Sequence, residues 1–386
     1  MLAALDPSMS TPPSSTPASL PSELPDPESL SEIFHVYDIE MADGDARYYG
    51  EPMAAQDAVV QQLAPRFRER GYRVRLARET GEHVLVATER STGVEGIPWT
   101  NVALFGLTVA TTLFAGARWY GFSFEGNPVA LLGAWPFALS VLSVLAVHEF
   151  GHYALSRYHG VEVSLPYFIP IPNVLGTLGA VIRMRDHIPS RRALFDIGVA
   201  GPLAGLAATV VVTAVGVSLP PVDVGAAAGT SFAQQYQLGY PPLIQGIALL
   251  LGEQLYYSDP SLIANPVVIG GWVGAFVTFL NLLPVGQLDG AHVLRALIGD
   301  HLDTAQLLVP VGLLGLAAYV YVVESATMVA VLWGFWAVLA LLFTRIGGAE
   351  PLDPNPVDRR RRAVAAVTLV LAGLTFTPMP IVFTGF

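Results

Sequence analysis

From residue 98 onward, apolar runs of roughly the twenty residues a bilayer core requires recur along the chain. In hydrocarbon every backbone N–H and C=O must find a partner within the protein, so such runs are read as spanning helices. Spanning segments are predicted near 98–118, 131–157, 193–219, 266–283 with its continuation to 298, 305–323, 326–345 and 363–383, about seven crossings. The stretch PPLIQGIALLLG at 241–252 has only about half the needed length and is expected to lie in the interface or re-enter. Composition agrees: of 386 residues 53% are hydrophobic and 13% charged, well below the usual quarter for a soluble domain.

The predicted fold class is therefore a polytopic α-helical membrane protein with a small N-terminal α+β domain. Residues 1–33 are rich in Pro and Ser without an apolar period and read as a disordered tail. In 34–92, FHVYDIEM alternates like a strand, Val59, Val60, Leu63 and Phe67 recur at helical spacing with Pro65 as a blemish, and two alternating runs flank Thr80-Gly81. The expected order is β-α-β-β, in a unit small enough to rest on the membrane domain of residues 93–386 and to act there as a regulatory or substrate-filtering cap.

Charge sets orientation and excludes partners. All 20 basic residues are Arg and the net charge is −11, so no nucleic-acid partner is expected. Of the twelve arginines beyond residue 97, only Arg118 falls on the far side of this threading. The positive-inside rule then predicts a multi-pass protein of the cell membrane with its N-terminal domain cytoplasmic. The chain has no cysteine, so any metal site must be built from His, Asp and Glu.

Two polar intrusions break the apolar pattern. LAVHEFGHYALSRYHG, residues 145–160, places His148 and His152 four apart, on one helix face, with Glu149 beside them. This is the H-E-x-x-H pattern in which two imidazoles hold one cation and the glutamate serves as general base. Ionisable groups at membrane depth cost about 2.5 kcal/mol or more each, so three within five positions require a compensating partner. Two histidines leave a catalytic zinc one protein ligand short. The second intrusion, FLNLLPVGQLDGAHVLRAL at 279–297, has Asn281 and Asp289 bracketing the helix breakers Pro284 and Gly286. In the threading both motifs reach the same depth, making Asp289 a candidate third ligand. His187 and His292 are alternatives, and Asp289 also suits a cap for the following helix.

HEFGH at 148–152, GVAGPLAG at 198–205 and NLLPVGQLDG at 281–290 together resemble, in order and spacing, the site-2 protease family of intramembrane zinc metalloproteases. The likeness covers about residues 130–300, the expected catalytic core. It implies one Zn²⁺ per chain bound by His148, His152 and Asp289, with Glu149 as general base or acid and Asn281 holding the substrate carbonyl or its oxyanion. It further implies a membrane-protein substrate cut in or near a transmembrane helix and a membrane-dipping β-hairpin at 161–182, where a Pro-rich connector wrapping the bundle is the alternative; the arginine placement puts the active-site mouth on the cytoplasmic side. No inserted PDZ-like or CBS-like module is found. The rival class is a metal transporter using the same His/Asp site, which would have no use for an acid/base at Glu149. His159 and His187 are expected to be solvated, Asp196 to complement a helix N-terminus, GPLAG to serve close helix packing, and Arg359–Arg362 to anchor the topology at lipid headgroups.

Overall fold

A computed structural model describes residues 23–42, 44–79, 81–90, 96–123, 127–184, 186–225 and 232–383. It divides into two compact units, residues 1–92 and 93–386. Most of the expected tail, residues 1–22, lies outside the described residues. Packing starts earlier than the expected boundary at 34: Leu24, Leu30 in the short helix α1 (Pro27–Leu30) and Ile33 are all buried.

The first unit is an α+β fold. Strands β1 (Phe34–Ala42) and β2 (Asp45–Pro52), helix α2 (Gln56–Arg68), and strands β3 (Tyr72–Glu79) and β4 (Glu82–Glu89) follow in sequence. They form an antiparallel sheet of order β1-β2-β4-β3. Val59, Leu63 and Phe67, one face of α2, are fully buried, and Phe67 meets Tyr48 edge-on at 5.7 Å. Tyr48, opposite Leu85 in the sheet, donates its hydroxyl to Pro25 O at 3.0 Å, which draws the preceding segment onto the unit. The expected order missed β2. Its sequence DARYYGEP carries Asp, Arg, Gly and Pro, residues of turns, yet Ala46, Tyr48 and Gly50 alternate inward. A Cβ on Gly50 would lie 2.2 Å from His35 O, so the close pairing with β1 needs glycine there.

The second unit is helical. Helices α3 (Trp99–Trp119) and α4 (Trp135–Tyr158) are joined to α5 (Arg191–Ser218) through a hairpin of β5 (Tyr167–Pro170) and β6 (Thr177–Val181) and the short strand β7 (Ile188–Ser190). The connection after α5 holds β8 (Val222–Asp223), α6 (Phe232–Gln235), β9 (Tyr236–Leu238), α7 (Pro242–Leu251) and β10 (Leu262–Ile263). Then come α8 (Val267–Asn281), α9 (Asp289–Ile298), α10 (Leu302–Ala305), α11 (Leu308–Val322) and α12 (Thr327–Ile346), and finally β11 (Pro351–Asp353), α13 (Arg359–Leu374) and β12 (Ile381–Phe383).

Among the described residues four helices, α3, α4, α5 and α12, are long and apolar enough to cross a membrane, or five if the bent run α9–α11 is taken as one span. The other three of the seven expected segments are not single full-length helices. The fourth is interrupted at Leu282–Leu288 by Pro284 and Gly286. The fifth, α11, has 15 residues and makes an angle of 64° with the run Asp289–Ala305 ahead of it. The last is a helix of only 16 residues, ending ahead of Pro378 and Pro380. Its extended remainder pairs β12 with β9. At 10 residues α7 is too short to cross.

Small residues bring the central helices together. A Cβ on Gly271 or Gly274 of α8 would lie 2.1 Å from the hydroxyl of Thr213 or Thr209 on α5, and one on Gly270 would lie 2.5 Å from Ser140 Oγ on α4. The hairpin lies along α3. Asn101 donates to the carbonyls of Leu165 and Pro166 at 3.1 and 2.9 Å, Thr111 to Gly176 O at 2.6 Å, and Trp119 Nε1 to Val174 O at 2.8 Å. These donors span eighteen residues of helix, about 27 Å, so the hairpin follows a spanning helix over nearly its full length. Gly176 has φ +81° and a Cβ there would lie 2.4 Å from Thr111 O. Gly176→Ala should therefore destabilise the purified protein by about 1–3 kcal/mol, seen as a lower thermal midpoint in detergent; an unchanged midpoint would show that the turn is not held against α3.

Candidate metal centre

The lone polar cluster of α4 faces inward. His148, Glu149 and His152 are 2%, 6% and 4% exposed, with the two imidazoles edge to face at 5.0 Å between centroids. Asn281 is the last residue of α8 and Asp289 the first of α9. In an unbroken helix eight residues would separate them by about 12 Å. The intervening break instead returns both to His148. Asp289 Oδ2 lies 3.2 Å from His148 Nε2 and 3.1 Å from His152 Nε2, and Asn281 Nδ2 lies 3.1 Å from His148 Nε2. The two Nε2 atoms are 3.2 Å apart. Asp289 does not cap its helix, since Leu288 holds that position and no side chain caps it.

Proton accounting shows what this triangle needs. His152 donates its Nδ1 hydrogen to the Ile197 carbonyl at 2.8 Å, so in the neutral ring Nε2 carries a lone pair. Asp289 Oδ2 is buried with no hydrogen-bond partner among the described residues. Lone pairs thus converge where little water can screen them, an arrangement that a cation relieves. A tetrahedral zinc with bonds of roughly 2.0–2.1 Å spaces its ligand atoms about 3.3 Å apart. The observed sides of 3.1–3.2 Å fit that ion, and a set of two imidazoles and one carboxylate is of the kind that holds it. Among the described residues these three form the only group of His, Cys, Asp or Glu donors close enough to share a metal. Neither His187 nor His292 belongs to it.

The GVAGPLAG run supplies the wall behind the histidines. A Cβ on Gly201 would lie 2.0 Å from His152 Nε2, one on Gly205 2.9 Å from His148 Nδ1, and one on Gly151, within HEFGH, 2.6 Å from Ala200 O. Small residues here do serve helix packing, and what they pack against is the cluster itself. Glu149 lies within electrostatic reach of His152 and Asp289, and the Ile182 backbone N–H at the end of β6 faces its carboxylate.

Two expectations for the neighbouring polar residues change. His159 is not solvated: its Nε2 lies 3.0 Å from Asp196 Oδ2. Asp196 in turn accepts a bidentate pair from Arg361 Nε and Nη2 at 2.8 and 2.6 Å. This partnership joins residues 165 apart, and no periodicity or motif signals it.

Fold and site together define a helical protein whose long apolar helices fit a membrane, with a buried group of two histidines and one aspartate that could hold a metal ion beside a glutamate. Residues 136–319 match the model of Peptidase family M50, so this segment is a domain of the site-2 protease family. Among curated proteins it is 30% identical over 296 residues to the probable zinc metalloprotease EGY2, chloroplastic, of Arabidopsis thaliana, covering 74% of this chain and 50% of that protein. It is 32% identical to the probable zinc metalloprotease EGY1, chloroplastic, of Oryza sativa subsp. japonica over 254 residues and of Arabidopsis thaliana over 259, covering 64% of this chain and 41% and 43% of theirs. The chain spans about half the length of these relatives. No solved structure matches it.

The glycine wall yields a test. Gly201→Ala should push His152 off its position and weaken zinc binding on the order of 10–100-fold, as loss of a ligand-orienting contact does. Metal content after equilibration at fixed free zinc reads this, and wild-type retention would show that α5 does not abut the ligand.

Proposed function

We propose that this protein is an intramembrane zinc endopeptidase that hydrolyses a peptide bond in or near a transmembrane helix of a membrane-protein substrate. The observation that carries the reading is the convergence of His148, His152 and Asp289 within 3.2 Å at a site that also brings in Asn281 and lies beside Glu149. His148, His152 and Asp289 would hold Zn²⁺, which when bound lowers the pKa of a water toward about 7 and polarises a carbonyl. Glu149 takes a proton from the attacking water and later delivers it to the leaving amine. Asn281, already donating toward the ligand cluster, offers its amide hydrogen to the substrate oxygen as negative charge develops there. A transport site at the same residues would have no role for Glu149, and the family relationship favours hydrolysis.

A helical substrate has its carbonyls tied in i to i−4 bonds and must unwind before attack. The β5–β6 hairpin supports this step. It is a two-stranded ribbon, and a strand edge offers backbone partners to an extended peptide. The end of β6 leads directly to Ile182 beside Glu149.

We also infer seven crossings and a cytoplasmic active-site mouth. Arg361 meets Asp196 near the start of α5, whereas β12 pairs with β9 beyond its far end, so 359–383 runs the length of the bundle with only part of it helical. Arg157 in the last turn of α4, Arg191 and Arg192 opening α5, and Arg361 gather at one end, which the positive-inside rule makes cytoplasmic.

Two measurements check these readings. With purified protein and a single-span substrate, Glu149→Gln should keep its zinc while cleavage falls on the order of 10²–10⁴-fold. Asp289→Ala should lose most of the metal; equal cleavage by wild type and Glu149→Gln would remove the proposed base. For orientation, a cysteine introduced into this cysteine-free chain at Asn355 should resist a membrane-impermeant thiol reagent in intact cells, and one at Ser258 should react. The reverse pattern would invert the topology.

A further inference from the structure

The family match ends at residue 319, yet the chain beyond it returns to the metal centre. Three contacts bring it back. Strand β11 pairs in parallel with β7, immediately ahead of α5, through Pro351 with Ile188 and Asp353 with Ser190. Val357 and Ala365 are buried in one apolar cluster with Ala193, Leu194 and Phe195 of α5 and Val293 of α9, the helix that opens with Asp289. Arg361 grips Asp196 through two hydrogen bonds, and the same carboxylate meets His159, the C-cap residue that follows α4.

The run Arg359–Arg362 is not uniform. Arg359, Arg360 and Arg362 are exposed, whereas the Arg361 side chain is 28% exposed and also reaches Asp358. Asp358 caps α13 by accepting from the backbone N–H of Arg360 and Arg361 at 3.0 and 3.1 Å. The guanidinium is thus set by its own helix cap before it meets α5. Bidentate pairing then fixes its angle as well as its distance, which a lysine cannot reproduce.

The next residue along α5 gives this clasp a consequence for the metal. Ile197, adjacent to Asp196, presents the carbonyl that accepts the Nδ1 hydrogen of His152 at 2.8 Å and so fixes the tautomer and ring plane of that ligand. Asp196 is tied on one side to α4 through His159 and on the other to α13 through Arg361, so the rotation of this turn of α5 against α4 is set by the clasp. We propose that Arg361, on the C-terminal helix outside the matched domain, is a positioning residue for the metal centre, acting through Asp196 and Ile197 on His152. The proposal rests on the reading of His148, His152 and Asp289 as the zinc ligands.

The test is the rate at which zinc passes from the purified full-length protein to a colorimetric chelator such as pyridylazoresorcinol, at a temperature where the metal-free form of each variant remains folded. Arg361→Ala should release zinc on the order of tenfold faster than wild type, since loss of outer partners of a ligand has effects of that size. Arg361→Lys, keeping the charge without the fork, should fall between the two, and Arg360→Ala should match wild type. If Arg361→Ala does not accumulate as folded protein, Arg361→Lys and Asp196→Asn decide, and wild-type release from both overturns the proposal. Equal effects of Arg360→Ala and Arg361→Ala would mark the run as a lipid anchor alone and also overturn it. Loss of zinc from Asp289→Ala together with wild-type release from the Arg361 variants would sink this inference only. Zinc retained by Asp289→Ala would sink the ligand assignment beneath it.

Discussion

The membrane unit is organised around a repulsion. His148 Nε2, His152 Nε2 and Asp289 Oδ2 lie within 3.2 Å of one another in a buried site; Asn281 Nδ2 faces His148 Nε2 at 3.1 Å, while Asp289 Oδ2 has no hydrogen-bond partner among the described residues. Without a cation such a triangle favours separation, so the surrounding helices must hold it. They do so by backbone proximity: Gly201 and Gly205 bring α5 directly onto the two rings, and the Ile197 carbonyl fixes one of them. Helix packing and metal affinity are therefore two expressions of the same contacts. A methyl group added to the glycine wall acts on both.

The broken helix is the second device. Freed backbone groups at membrane depth are tolerated only when buried in protein or facing a wet cavity. Here the break is enclosed: the Gly286 N–H donates to Gln306 Oε1 at 3.3 Å, and a Cβ on Gly286, whose φ is +56°, would lie 2.5 Å from Phe343 O. The break turns a spacing of eight residues into a shared position, so Asn281 and Asp289 both reach His148. The hairpin meets the same constraint in its own way. Its strands pair with each other, and Asn101, Thr111 and Trp119 supply donors to its carbonyls along α3. These side-chain donors satisfy backbone carbonyls that lipid could not.

Much of this was legible in the residues. The continuous apolar runs identify α3, α4, α5 and α12 because length and hydropathy are properties of the chain alone. The i, i+4 spacing of His148 and His152 places their rings on one face by helix geometry, and Pro284 with Gly286 announces a break. The α2 face of Val59, Leu63 and Phe67 is likewise a matter of period. Strand β2 was missed because its inward alternation is written in Ala46, Tyr48 and Gly50 among turn-forming residues. Hydropathy does not distinguish helical from extended residues beyond Leu374, where α13 ends and the chain goes on to pair β12 with β9.

What only the tertiary structure decided is which distant groups meet. Asp289 lies 141 residues beyond His148, and the candidates His187 and His292 carry imidazole nitrogens that also ligate zinc. The choice among them follows from where the break aims the first turn of α9. The partnership of Arg361 with Asp196 has no local signature, since four consecutive arginines read alike until a helix cap turns one of them inward. Periodicity and hydropathy are local quantities and specify elements. Convergence of side chains depends on how the elements pack, and that is set by close approaches, at Gly201 onto His152 and at Gly286 onto Phe343, that no single segment encodes.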